Sequence, residues 1–247
     1  MKLLITSGGT KVPIDTVRDI TNMSRGTFGA KIASYFLGSG QEVDFLAAKG
    51  SRTPFKQETD FTKKEMPEIL KDLSEMAHLW RSSGHLYREI QYRNFEDYRG
   101  HLFGALCKDD KGPDITILAA AVSDHGTVPM EGKVRTKDFH SIELFDQPKL
   151  ISEVKEYNAG TFLVGFKLLV DSTVEQLEEA AIKQAISCGC EVVIANDLRD
   201  IKDNNHICRV YDSKRDRFSV YRAPSGSDAI ANDVCSKITE LWYRRFE

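Results

Sequence analysis

The chain has 247 residues, of which 41% are hydrophobic, enough for one large α/β domain or two small ones around a sizeable core. Its net charge of −3, from 34 basic and 37 acidic residues, argues against a nucleic-acid surface. No apolar run approaches the roughly 18 residues of a membrane span, and the opening residues read as a strand, so no signal peptide is expected. The five cysteines (Cys107, Cys188, Cys190, Cys208, Cys235) fit neither a zinc knuckle nor a C-x-x-C pair, so reduced thiols in a cytoplasmic protein are expected.

Residues 3–37 organise the rest. Leu3, Leu4 and Ile5 read as a buried parallel strand that breaks into Thr6, Ser7, Gly8, Gly9 and Thr10, whose glycines let backbone N–H groups approach an anion. A second turn, residues 22–26, precedes a helix-like run through Ala30, Ala33 and Leu37. A strand, two small-residue turns and a helix N-terminus make a phosphate site by geometry, although a plain tight turn in an α/β core gives the same pattern. The glycines at 8, 9, 26 and 29 lack the G-x-G-x-x-G spacing, and no Walker-type loop is present.

Residues 42–46 read as a second strand, completing a β-α-β start and predicting a parallel sheet. Residues 49–64 read as a polar surface loop. Pro67 suits a first helical turn, and Ile69, Leu70, Leu73, Met76, Ala77 and Trp80 follow helical spacing, predicting an amphipathic helix packed on the sheet. A strand over 87–94 and a helix over 95–107 follow. Residues 115–122 form the most apolar strand of the chain. It runs out at Ser123-Asp124, and ligands bind beyond the carboxyl ends of parallel strands, so Asp124 is well placed for function, with a helix or turn cap as the alternative.

Lys133, Arg135 and Lys137 alternate in a segment flanked by Gly126, Pro129 and Gly132. In a strand they project to one face, as a polyphosphate clamp or as the charged guard of an edge. Gln147-Pro148 opens a helix to about residue 157. The strand 161–166 delivers Gly165-Phe166, whose ring can stack on a base or fill the core. A helix over 174–186 ends near Gly189, a buried strand over 191–195 delivers Asn196-Asp197, a late hairpin includes Val210 and residues 218–221, and a helix over 228–242 closes the chain. No repeat or linker divides it, so a single domain over 1–247 is expected.

Several motifs occur together and in order: Ile5-Thr-Ser-Gly-Gly-Thr10, Pro13-Ile-Asp15, Arg18, Asn22-x-Ser-x-Gly26, Ala120-Ala-Val-Ser-Asp124, a lysine segment from Lys133, Gly165-Phe166 and Ala195-Asn-Asp197. As a set they resemble the phosphopantothenoylcysteine synthetase (phosphopantothenate–cysteine ligase) family, over nearly the whole chain and most weakly between residues 50 and 114. The resemblance implies a three-layer Rossmann-like fold, a mostly parallel sheet with helices on both faces and a small strand/flap insertion. It is to the stand-alone bacterial type, so the fused flavin-dependent decarboxylase and its FMN are not expected.

The resemblance implies a ligase of coenzyme A biosynthesis. The carboxylate of 4'-phosphopantothenate attacks the α-phosphate of a nucleoside triphosphate, CTP rather than ATP, accompanied by Mg²⁺. The acyl-nucleotidyl intermediate (an acyl-cytidylate with CTP) then reacts with the amine of cysteine. Asn22, Arg18 and Lys133 match the family's catalytic positions. Nucleotide contacts are implied for Gly8, Gly9, Thr10, Ser24, Gly26, Ala119, Ala120, Ala121, Asp124, Lys133, Arg135, Lys137, Pro148, Lys149, Leu150, Ile151, Phe166 and Lys183. Substrate contacts are implied for Asn22, Arg18, Ala121 and Asn196. No resident metal site and no membrane or nucleic-acid partner are implied; a homodimer is.

Departures from the family pattern concern base preference more than the reaction. Arg135 replaces a flap lysine, Lys167-Leu-Leu-Val170 stands where an acidic pair follows the phenylalanine, and only Lys183 remains of two helix lysines. A short-chain oxidoreductase would want G-x-x-x-G-x-G and a Tyr-x-x-x-Lys pair, and neither Tyr87 nor Tyr157 has the lysine. A non-enzymatic nucleotide-binding module would keep the phosphate loops without the Asn22 and flap pair.

Overall fold

The computed structural model describes residues 1–56, 65–107, 112–135, 141–202 and 205–247. The central strand β1 (Lys2–Ser7) has Leu3, Leu4 and Ile5 fully buried. A strand covered on both faces needs a continuous apolar run instead of alternation. It lies between two parallel neighbours, β4 (Glu42–Ala48) and β6 (Ile115–Leu118). Beyond β4 lies β5 (Tyr87–Tyr92). Beyond β6 lie β9 (Phe162–Leu169) and β10 (Val192–Asp197), all parallel, and then the antiparallel β11 (Asn205–Asp212) and β12 (Arg217–Pro224). The sheet order is β12-β11-β10-β9-β6-β1-β4-β5. The chain builds outward from β1 through β4 to β5, returns to β6 and builds outward the other way. Its topological switch point therefore falls between β1 and β6, where a doubly wound sheet opens a crevice at its carboxyl end.

Helices cover both faces, as a three-layer Rossmann-like fold requires. On one, α1 (Thr27–Gly38) and α7 (Ala229–Tyr243) press Ile32, Phe36, Val234 and Ile238 onto Leu3, Ile5, Val164 and Ile194. On the other, α3 (Phe95–Leu106), α4 (Val154–Tyr157) and α5 (Val174–Cys188) press Leu102, Val154, Leu177 and Ala181 onto Leu4, Leu163 and Val193. Capping boxes start α3 (Asn94 with Asp97) and α5 (Thr173 with Gln176), each satisfying otherwise orphaned backbone donors. The short α6 (Leu198–Lys202) follows β10 directly. Two small hairpins stand at the carboxyl end: β2 (Lys11–Pro13) with β3 (Asp19–Thr21), and β7 (His125–Gly126) with β8 (Phe145–Asp146). They are the strand insertion expected from the sequence. Among the described residues no helix is long and apolar enough to cross a membrane.

Several boundaries differ from the sequence reading, each for a tertiary reason. Thr6 and Ser7 belong to β1, not to the loop after it. The strand expected over 115–122 stops at Leu118, because Ala121 leaves β6 to bond the loop after β1. The strand expected to end at Phe166 runs on to Leu169, because β10 pairs with it as far as Asp197. The helix expected from Pro148 begins as a single tight turn, Leu150–Glu153, before α4, since Gln147 N–H donates to Asp124 O instead.

The loop expected over 49–64 is partly core: Thr53 and Pro54 are buried, and the Phe55 ring packs edge-on against Trp80 and Tyr87. Its residues 57–64 lie outside the described residues. In α2 (Met66–Ser83) the apolar stripe is only half partnered. Ile69 is 3% exposed, but Leu70 and Trp80 are 59% and 56% exposed, because the helix rests on the outer side of α1 and not on the sheet. Helical spacing reveals that a stripe is apolar, but not which part of it finds a partner.

Candidate active site

The loops leaving β1 and β6 are joined across the switch point. Ala121 N–H donates to Gly8 O at 2.8 Å and Thr10 N–H to Ala121 O at 3.3 Å, bridging Gly9 with Ala121. Two side chains reinforce this junction: Thr6 Oγ1 accepts from Ala120 N–H at 3.2 Å and Thr10 Oγ1 from Ser123 N–H at 2.9 Å. Gly8 has φ +89°, and a Cβ there would lie 2.6 Å from the Cβ of Ala48, so the turn tolerates only glycine. The expected binding residues Gly8, Gly9, Thr10, Ala120 and Ala121 are thus brought together, with Ala119 leading into the same loop.

The first turn of α1 opens beside this junction. Gly26 is its N-cap at φ +76°, its carbonyl accepting from Ser7 Oγ at 2.9 Å, and the helix has neither a side-chain cap nor an acidic residue in its first turn. An uncapped N-terminus keeps its N–H groups and the positive end of the helix dipole available for an anion. Ser24 turns into it, its N–H donating to Asn22 O at 2.8 Å. Asn22 itself is exposed. Its Nδ2 reaches across the switch point to Ala121 O at 3.0 Å, uniting two residues proposed for the substrate side.

A different arrangement holds Arg18. Asp15, almost fully buried, takes Val17 N–H and Arg18 N–H on Oδ1 (both 2.8 Å), and Arg18 Nε (3.0 Å), Arg18 Nη2 (2.6 Å) and Val134 N–H (3.1 Å) on Oδ2. The Arg18 guanidinium also donates to Val134 O at 2.8 Å. The expectation that Arg18 grips a phosphate or a carboxylate of the substrate thus meets a guanidinium already engaged by Asp15 and by the flap backbone. Arg18 and the other donors hold the Asp15 carboxyl well below the ordinary carboxylate range.

Lys133 and Arg135 flank this attachment, both exposed. Residues 133–135 are irregular and not a strand, so the alternation that was to aim both cations at one face is absent. Side-chain bonds from Asp15 and Arg18 to the main chain of Val134 replace the ladder. Lys137 lies outside the described residues.

Strand β9 divides the remaining nucleotide candidates between the two faces of the sheet. Gly165 faces α5, where Ile151 and Gln184 close over it, and Gln184 Nε2 donates to Phe166 O at 3.2 Å. Pro148, Lys149 and Leu150 lead into that side, and Lys149 lies 3.6 Å from Asp124, both exposed. Lys183 lines a cleft of about 460 Å³ between the end of β9 and α5, with Leu169, Ser172 and Gln176. Phe166 faces the α1 side. It sits mid-strand in β9, yet one residue past the last pair of β9 with β6, Gly165 with Leu118, so it borders the crevice that opens where β6 stops.

There the Phe166 ring meets Phe28 of α1 at 5.8 Å, edge to face, and Phe28 meets His206 at the same distance. His206 Nε2 lies 2.8 Å from Asn196 Oδ1. Burial, with a smaller contribution from Lys31, lowers the His206 pKa, so the ring is neutral at pH 7 and its Nε2–H donates to Asn196. This leaves the Asn196 amide NH₂ for a ligand. Phe28 and His206 were not singled out from the sequence. Phe28 is one apolar residue of an amphipathic helix, and His206 reaches Asn196 only because β11 folds back antiparallel on β10.

The Asp197 carboxylate, next to Asn196, faces inward as a brace. Burial raises its pKa, but donors from Ser172 (N–H and Oγ), Arg199 N–H and Asp171 N–H outweigh this and bring it to about 2. Because the folded value lies below the unfolded one, about 4, the bracing is fully present above about pH 4 and is lost as pH falls toward 2. Thermal unfolding of the Asp197→Asn variant should therefore fall below that of the unsubstituted protein at pH 7, with the gap narrowing between pH 4 and pH 2. A gap independent of pH would remove the carboxylate charge from this account.

A family model described as the C-terminal domain of DNA/pantothenate metabolism flavoproteins matches residues 1–77 and 100–241. Among curated proteins, the chain is 31% identical over 200 residues to the coenzyme A biosynthesis bifunctional protein CoaBC of Thermococcus kodakarensis, covering 80% of this chain and 41% of that protein. It is 27% identical over 266 residues to phosphopantothenate–cysteine ligase 2 of Oryza sativa subsp. japonica, covering 96% and 79%. The chain spans about half the length of the bifunctional relatives it matches. Among solved structures, a Cab2 mutant in complex with phosphopantothenate-cysteine superposes with a TM-score of 0.81 at 24% identity over 98% of this chain and 86% of that one, a likeness of fold. With a match to most of its length and the same architecture, the chain belongs to the family of the C-terminal domain of DNA/pantothenate metabolism flavoproteins.

Proposed function

We propose that the chain is a phosphopantothenate–cysteine ligase of coenzyme A biosynthesis. CTP, with Mg²⁺ bound through its phosphate oxygens, activates the carboxylate of 4'-phosphopantothenate. Pyrophosphate leaves, and cysteine displaces the nucleoside monophosphate from the acyl-cytidylate. The observation that carries this reading is the Asn22 amide, anchored on Ala121 O at the switch point beside an uncapped helix N-terminus. An amide nitrogen has two hydrogens. With one on Ala121 O, the other remains for the oxyanion that forms when the cysteine amine attacks the acyl carbon.

The other candidates supply binding and charge. The first turn of α1 and the glycines after β1 offer N–H groups to phosphate. Lys133 and Arg135 neutralise the triphosphate as pyrophosphate departs. Phe166 offers an apolar face to the base, and Asn196 contacts the substrate through its free NH₂. No nucleophilic side chain is required, because both steps are attacks by substrate groups on activated centres, which positioning and charge neutralisation accelerate.

We further propose that the whole chain works as one domain and as a homodimer joined through the arm that includes β7 and β8. The support is its unpaired apolar surface: Val128 is 82% exposed, and Leu144 and Phe145 about half.

Incubation with Mg²⁺, 4'-phosphopantothenate, cysteine and either CTP or ATP should release pyrophosphate, faster with CTP, and omission of 4'-phosphopantothenate should abolish it. Silence with both nucleotides would end the ligase reading, and faster release with ATP would end the choice of CTP. Asn22→Asp lacks the amide donor, so it should fold normally, lose about 10²–10³ in amide formation and accumulate the acyl-nucleotidyl species. Unchanged turnover would take Asn22 out of the mechanism. Sedimentation should give a dimer that Val128→Glu converts to monomer, and a monomer before substitution refutes the assembly.

A further inference from the structure

Residues 127–134 run in step along the turn that carries Arg18. Thr127 Oγ1 donates to Pro13 O, Met130 N–H to Ile14 O (2.9 Å), and Thr16 N–H to Gly132 O (3.3 Å). The last attachment is made by two side chains: Val134 gives its N–H to Asp15 Oδ2 and receives the Arg18 guanidinium on its carbonyl. Val134 is the residue between Lys133 and Arg135, the described cations of the flap. We propose that Asp15 is a positioning residue that fastens this cationic segment to the turn bearing Arg18, setting where the flap cations meet the triphosphate. The proposal rests on the ligase reading for its substrate, but not for the fastening itself.

The division of labour between the two carboxylate oxygens supports it. Oδ1 serves only the turn, accepting Val17 N–H and Arg18 N–H, an arrangement an asparagine oxygen reproduces. Oδ2 serves the long-range attachment, accepting the Arg18 guanidinium and Val134 N–H, the latter 119 residues away in sequence. A buried carboxylate with donors on both oxygens is held in one orientation, and the charge-assisted bonds to Arg18 are the strong kind. Asp15 is only 3% exposed and its hydrogen-bond partners are the turn, Arg18 and Val134, so it acts through Val134 and Arg18. Nothing in the sequence marked this role: Asp15 stood out only as part of an ordered motif, with no partner in view.

Asp15→Asn separates the two halves. If its Oδ1 keeps the turn, its NH₂ meets Val134 N–H and the Arg18 guanidinium, donor against donor, and the flap attachment breaks. Val134→Pro is the second variant; it removes the accepted N–H and leaves the Asp15–Arg18 pair intact. The first readout is tryptic cleavage after Arg135 in the unliganded protein, since trypsin does not cut before a proline at 134, expected to accelerate about tenfold in both variants, as for the loss of one buried hydrogen bond. The second is steady-state kinetics, expected to show the KM for the nucleotide raised about tenfold with the KM for cysteine in Val134→Pro within about twofold of normal. A purely structural role would lower the melting temperature without this split. Cleavage and nucleotide KM within about twofold of the unsubstituted protein in both variants would overturn the proposal. If the unsubstituted protein releases no pyrophosphate, the ligase reading fails while the cleavage experiment still decides the fastening.

Discussion

The junction of the loops after β1 and β6 is the constraint on which the rest of this molecule depends. In a doubly wound sheet those two loops diverge toward opposite faces, and an open crevice results unless something bridges it. Here Gly8, Thr10 and Ala121 bridge it with main-chain bonds, and Thr6 and Thr10 lend hydroxyls from below. Everything proposed for chemistry is referred to that bridge: Asn22 hangs from Ala121 O, α1 starts beside Gly26, and Phe166 emerges where β6 stops. The glycines there are required by backbone geometry, since a side chain on Gly8 would collide with Ala48.

Stability and function are separated along the same elements. Helices α3 and α5 carry complete capping boxes, whereas α1 and α7 have no side-chain cap and no acidic residue in the first turn, and of these α1 starts beside the crevice. An unused capping position costs about 1 kcal/mol, and that cost leaves backbone donors for an incoming anion. A similar division runs through Asn196 and Asp197. The first is oriented by a neutral histidine through its amide oxygen, while the second turns inward to tie the end of β9 to the start of α6.

The legible part of this protein was local. The buried apolar runs of β1, β6 and β10, the helical spacing of α5 with its terminal Gly189, and the order of the small-residue motifs all follow from a few neighbouring side chains. They led to the parallel sheet, its helical layers and the family. Misreadings arose where a partner distant in sequence decided the outcome. Ala119–Val122 is as apolar as a strand, but Gly8 and Thr10 pull it out of the sheet. Leu70 and Trp80 have helical periodicity, but α1 meets only the neighbouring face of α2. The alternation of Lys133 and Arg135 suggested a strand, but their segment is held by a carboxylate and by isolated main-chain bonds, which impose no pleat.

What the sequence determined by itself is therefore the inventory: which strands are buried on both faces, which turns need glycine, and which residue types gather at strand ends. Those are properties of single residues and their immediate neighbours, set by sterics and by the periodicity of regular backbone. Only the tertiary structure decided the allocation. It gave Arg18 to Asp15 and Val134, sent Phe166 to one face of the sheet and Lys183 to the other, and brought Phe28 and His206 into a site that no motif assigned them. The reason is physical: a side chain's hydrogen-bond partner and the face it occupies depend on sheet register and loop closure, which join residues ten to more than a hundred positions apart.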